Sequence, residues 1–163
     1  MRYLPGKAFP PYAFLPGRDP HPTRDPEGHS FGREEEAGRY LPPARWRENE
    51  PYLFGVDLYN HGFLWEAHEA WETQWHASKG DRTQALFLQA LIQCAAAWLK
   101  IPMDQAQGVA RLSALALEKL SEVGRSYERY MGLDVEDFAR SVRDFADSGA
   151  ASIEGRPRIV LEE

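Results

Sequence analysis

From Pro51 onward, apolar residues recur at helical spacing and break off wherever glycine, proline or aspartate intervenes. Tyr52, Leu53, Val56 and Tyr59 share one face of a first helix, which Pro51 opens after Asn49 or Glu50 and Gly62 ends or bends. Residues 63–78 predict a second helix, with Gly80 as its stop. Asp81 caps a third helix from Arg82 to Ile101, ended by Pro102. Asp104 opens a fourth, whose stripe is Val109, Leu112, Ala116, Leu120, Val123 and Tyr127, and Gly132 breaks it. Asp134 caps a fifth, with Val135, Phe138, Val142 and Phe145 inward, and residues 158–163 read as a short extended tail.

The third helix differs from the others. Leu86, Phe87, Leu88, Leu91, Ile92, Cys94, Trp98 and Leu99 spread round nearly its whole circumference, so other helices must surround it. Its long polar residues Arg82, Gln89, Gln93 and Lys100 fall on one line. That line is either a thin solvent-facing stripe or the border of an internal polar pocket.

Residues 1–50 obey another rule. Nine of the 12 prolines lie there, and proline removes a backbone donor and disfavours helix at the preceding residue. Disordered tails lack aromatics, yet this segment holds Tyr3, Phe9, Tyr12, Phe14, Phe31, Tyr40 and Trp46. The expectation is an all-α, compact bundle of about five helices over 51–148, a proline- and aromatic-rich, mostly non-helical arm over 1–50 packed on it, and an extended tail over 149–163.

Composition changes this picture in a few respects. A chain of 163 residues with 43% hydrophobic and 27% charged residues folds around one core. A net charge of −6 without a basic block disfavours nucleic acid. The lone Cys94, in an apolar run, suits a buried reduced thiol and a cytoplasmic location. Pro5, Pro10 and Pro11 interrupt any signal-peptide core, and the uncharged stretch between Arg82 and Lys100 carries Gln84, Gln89 and Gln93, so no membrane association is expected.

The second helix holds the chemistry. On a wheel, Leu64, Trp65, Trp71 and Trp75 define the inward face, His68 and Glu72 lie one turn apart in its middle, and Glu66 and Glu69 point further outward. An ionisable pair among tryptophans is expensive to bury unless it is hydrogen-bonded or functional. Such a pair also serves simply to brace two helices. A zinc-protease helix would need a second histidine where Glu72 stands, and a di-iron bundle would need Glu-x-x-His twice. A mononuclear divalent-metal site using His68, Glu72 and a residue from elsewhere, including one from a second copy in a homodimer, fits the residues that remain. No Gly-rich phosphate loop or zinc cysteine pair occurs, and no Gly-x-Ser-x-Gly nucleophile elbow is expected.

Asn60-His-Gly62, then His68-Glu69, Glu72 and Trp75, followed by Gln89 and Leu91-Ile-Gln93, resemble a bacterial family of small helical proteins described as a domain of unknown function. The resemblance spans about 51–135, with Ala90 where the family pattern has glycine; Tyr12–Arg18, Pro20-His-Pro22 and Gly28-His-Ser-Phe-Gly32 look like an extension found in a subgroup. It implies an all-helical fold and no established activity.

Two functions follow as expectations. In one, a polar pocket between the second and third helices binds a small molecule or metal and performs hydrolysis or proton transfer. His68 is base or ligand, Glu72 orients it, and Asn60, Glu69, Trp75, Gln89 and Gln93 line the site, with His29 or Arg18 brought by the arm as a lid. In the other, a structural or interaction module, the same residues form a hydrogen-bond network that fixes helix register.

Overall fold

A computed structural model describes residues 1–163. Five α-helices carry the fold: α1 (Glu50–Asn60), α2 (Leu64–Ala77), α3 (Arg82–Leu99), α4 (Ala106–Gly124) and α5 (Val135–Asp147). A 3-10 helix (Pro43–Glu48) precedes them, and a two-stranded hairpin, β1 (Arg129–Tyr130) with β2 (Leu133–Asp134), sits between α4 and α5. No helix is long and apolar enough to cross a membrane.

Two N-caps act as the sequence predicts, and Asn49 proves to be a third. The side chains of Asn49, Asp81 and Asp134 accept from the backbone N–H of Tyr52, Gln84 and Asp137 at 3.1, 3.1 and 2.9 Å. α3 packs against α2 and α4, and buries Phe87, Leu88, Ala90, Leu91, Cys94, Ala95, Ala97 and Trp98. Its burial pushes the Cys94 thiol up to about 12, which makes it inert as a nucleophile. Two of the three buried indoles of the core find a partner: Trp71 Nε1 donates to Tyr52 O at 3.1 Å and Trp98 Nε1 to the Tyr59 hydroxyl at 2.9 Å. Gly55 lets α1 approach α2, since a Cβ there would lie 2.2 Å from Trp71 Nε1.

Two boundaries differ from expectation. Asp104 does not cap α4; it adopts a left-handed conformation (φ 55°) in the reversal after α3, where Gln105 N–H bonds back to Lys100 O at 3.1 Å. α4 ends at Gly124 rather than Gly132, and Tyr127 lies beyond it, exposed. Gly132 instead follows Met131 in the hairpin turn, both with positive φ (48° and 82°), as a twisted two-residue turn requires. A Cβ on Gly132 would also lie 2.6 Å from the Trp46 ring.

Both ends of the chain pack on α1. Asp57 accepts from the backbone N–H of Tyr3 and Leu4, each at 2.8 Å, one bond per carboxylate oxygen. Asn60 pairs with Ile159 as a strand would, donating to its carbonyl at 2.8 Å and accepting from its N–H at 2.9 Å. The Arg156 guanidinium caps the same helix end, donating to Tyr59 O and Asn60 O at 2.8 and 2.9 Å. The last residues are therefore not free: Ile159 and Leu161 are buried, and Leu161 bridges Leu133. Along the arm, Phe9 stacks on Phe63 with centroids 4.9 Å apart, and Phe14 and Trp46 are buried. Two buried glutamines hold its later part: Gln74 donates to Arg39 O at 3.0 Å and Gln84 to Leu41 O at 2.9 Å.

Candidate functional site

α2 is the helix on which the chemistry gathers, and its orientation decides which groups meet. Its buried stripe is Leu64, Ala67, Trp71, Gln74 and, just past its end, Ser78. Compared with the face the tryptophans suggest, the helix is turned by roughly 70°, at about 100° per residue. Two contacts cause the turn. Gln74 and Ser78 find hydrogen-bond partners inside, which makes them fit for burial. Trp65 is covered by the arm, within aromatic contact of Phe14 and His21 at centroid distances of 5.4 and 5.6 Å, and not by the bundle.

The turn moves His68 and Glu72 from the middle of the inward face to its edge, where their side chains are 30% and 38% exposed. His68 Nδ1 lies 3.2 Å from Glu69 Oε1 and Nε2 lies 3.6 Å from Glu72 Oε2, while His76 Nε2 approaches the other Glu72 oxygen at 3.9 Å. Ligand atoms of His68, Glu69 and Glu72 all fall within 4.8 Å of one another. Partial burial lowers the His68 pKa, but the hydrogen bond and charge of Glu69 and the charge of Glu72 outweigh it, and the net shift is upward.

The other residues expected at this site make no hydrogen bond or ion pair to His68 or Glu72. Neither Gln89 nor Gln93 hydrogen-bonds to His68 or Glu72; both are half-buried on α3, and Gln93 Oε1 is buried without a partner. Asn60 is fully occupied by the tail. Trp75 is half-buried, with the Lys79 ammonium 4.9 Å over its ring. Arg18 is exposed and donates to Ala13 O at 3.0 Å and to Asp19. The arm does cross α2, but His29 meets Glu66 rather than His68.

Glu66 corrects the expectation most sharply. It points under the arm, its side chain only 5% exposed, and its Oε1 accepts from Phe14 N–H at 2.8 Å and from His29 Nε2 at 2.9 Å. Its Oε2 is buried with no partner at all. The His29 ring is 3% exposed, lies against Tyr12 (centroids 4.7 Å apart), and presents Nδ1 to Ser30 Oγ at 2.8 Å. Tyr12 also accepts from His29 N–H at 3.1 Å and donates to Pro20 O at 2.7 Å, so the turn holding the histidine is tied down at both ends.

A cavity of about 370 Å³ opens beside this group, with Lys7, Phe9, Ser30, Arg33, Phe54, Trp65 and Glu66 among its walls. It adjoins a second hollow of about 610 Å³ between the arm and α2, which Glu69, Glu72 and His76 line. Glu69 faces both.

The sequence does hold a signal for Ser30. Gly28-His-Ser30-Phe-Gly32 has the Gly-x-Ser-x-Gly spacing that the sequence-based expectation excluded. The surroundings differ from a nucleophile elbow, since the segment runs through consecutive turns with no strand before it or helix after it. Both glycines are needed for packing or conformation. A Cβ on Gly28 would lie 2.3 Å from His21 O, and Gly32 has φ 73°. Glu66 had a weaker signal: an aromatic arm must cover something, and the helix flank it covers holds Trp65 and Glu66.

Residues 52–112, spanning α1 to the first part of α4, match the family model described as Domain of unknown function (DUF309). No curated protein and no solved structure matches the chain. His29 and Ser30 lie outside the matched span, and Glu66, His68, Glu69 and Glu72 lie within it.

Proposed function

We propose that this protein binds one divalent transition-metal ion through His68 and Glu72, with Glu69 orienting the imidazole from its other nitrogen. The observation that carries this is the 3.6 Å separation of His68 Nε2 and Glu72 Oε2. Two ligand atoms each about 2.1 Å from a tetrahedral ion stand ~3.4 Å apart, so the pair is close to ready-made for a metal. Glu69 beside Nδ1 supplies the carboxylate–imidazole contact that selects the tautomer with a free Nε2. Imidazole with carboxylate suits zinc and its neighbours in the first transition row. Such a site leaves coordination positions for water and a substrate atom, which is the chemistry of hydrolysis or proton transfer on a small molecule.

Titration of the apo full-length chain with Zn²⁺ by isothermal calorimetry tests this. One ion per chain is expected, with affinity lost in His68→Ala and strongly reduced in Glu72→Gln. Because the His68 pKa is raised, protons compete with the ion, and affinity falls as pH drops through that raised value. Absence of saturable binding, or a His68→Ala variant that binds equally well, overturns the proposal.

A bracing role, the alternative, is favoured by a different set of residues. Asp57 and Asn60 spend every side-chain oxygen on the arm and the tail, as register-fixing groups do.

A further inference from the structure

The Ser30–His29–Glu66 group uses no residue of the proposed metal site and has the two hydrogen-bond relations that mark an activated nucleophile. A hydroxyl stands within hydrogen-bond reach of a base, Ser30 Oγ to His29 Nδ1 at 2.8 Å. The base is oriented by a third group, His29 Nε2 to Glu66 Oε1 at 2.9 Å. A carboxylate accepts, so the proton belongs on Nε2, and Nδ1 is left with the lone pair that faces the hydroxyl. Ring and carboxylate are both almost wholly buried, and the ring is clamped by Tyr12, so the geometry is fixed before any ligand arrives. The hydroxyl is on the open side, where Ser30 lines both hollows under the arm.

We propose that Ser30 is the nucleophile of an acyl-transfer site, with His29 as general base and acid and Glu66 as the residue that positions it, acting on short carboxylic esters. Ser30 Oγ attacks the acyl carbon while His29 Nδ1 takes the hydroxyl proton. The tetrahedral adduct collapses with cleavage of the bond to the alkoxide, and His29 returns that proton to the leaving alcohol. Water then attacks the acyl-serine, giving its proton to Nδ1. The Oγ–acyl bond breaks, the proton returns to Ser30, and a carboxylic acid leaves. The sum is ester plus water to acid plus alcohol. Arg33 and Lys7 line the same cavity as Ser30 and bring positive charge to it, which favours a developing oxyanion. Phe9, Phe54 and Trp65 give the acyl chain an apolar wall in a hollow of about 370 Å³, room for a short chain. The roles of the ring nitrogens are the reverse of the familiar serine-hydrolase arrangement, because serine and histidine are neighbours in the chain and only Nδ1 reaches back that far.

The test uses the full-length chain, an alkyl fluorophosphonate and p-nitrophenyl acetate, with and without EDTA. The fluorophosphonate is expected to label one site, mapped by peptide mass to Ser30, and Ser30→Ala to lose at least ~100-fold of the ester hydrolysis rate. Circular dichroism melting checks that Ser30→Ala keeps the wild-type fold, and labelling of the wild-type chain needs no variant at all. EDTA should leave hydrolysis and labelling unchanged, which separates this site from the proposed metal. Absence of labelling at Ser30 overturns the proposal, as does hydrolysis that survives in Ser30→Ala or disappears with EDTA.

Discussion

The outer faces of α1 and α2 both carry buried or half-buried charge, and they use it in opposite ways. On α1, Asp57 accepts two backbone N–H groups of the arm and Asn60 completes a strand-like pair with the tail. On α2, Glu66 is as deeply buried as these, yet one of its oxygens has no partner, and His68, Glu69 and Glu72 pair with one another and with His76 on the same helix. Burying a polar atom costs about 1–3 kcal/mol if it is left unmatched, so the Asp57 and Asn60 oxygens, all matched, act as braces, whereas the orphaned Glu66 Oε2 keeps a capacity for another partner. Satisfaction of buried polar atoms, more than their burial, separates bracing groups from candidate functional ones here.

Three substitutions break or sharpen that contrast. Asp57→Ala has the largest expected effect. It strands two backbone donors of the arm, beside Arg2, and should destabilise by about 3 kcal/mol or more in urea denaturation. Glu66→Gln should cost less than about 1 kcal/mol in the same measurement, because the amide oxygen keeps both existing bonds and the amide nitrogen takes the place of an oxygen that had none. A loss as large as that of Asp57→Ala would make Glu66 a brace. His68→Ala should have the smallest effect, ~0.2–1 kcal/mol, since its pairs are partly exposed. That effect has a sign with pH. The folded-state pKa of His68 is raised, so its stabilisation is fully present below the ordinary histidine value near 6.5 and disappears as pH rises through the raised one. Melting temperatures of wild type and His68→Ala should therefore differ at pH 5 and converge at pH 9.

The helices were legible because they rest on local rules. Asn49, Asp81 and Asp134 cap because a short polar side chain can reach the third N–H after it, whatever lies elsewhere. Asp104 looks the same in sequence, but the reversal after α3 recruits it for a left-handed position. The hairpin escaped notice because strands of two residues carry no alternation to read, while Met131-Gly132 alone does not specify a turn. Which charged residues α2 carries was legible, and their direction was not. His68, Glu69 and Glu72 do gather, but toward the rim of α2, and the glutamines that meet the arm are Gln74 and Gln84 instead of Gln89 and Gln93.

Periodicity and capping, both interactions between residues a few positions apart, determined that this chain makes five helices and where most of them start. Proline content likewise determined that its first 50 residues do something else. Which flank of α2 is inward, and that His29 and Ser30 come to rest on Glu66, were decided only in three dimensions. A helix wheel fixes angles between side chains but not the zero of rotation, and that zero was set by an arm whose contacts with α2 span up to 52 residues of sequence.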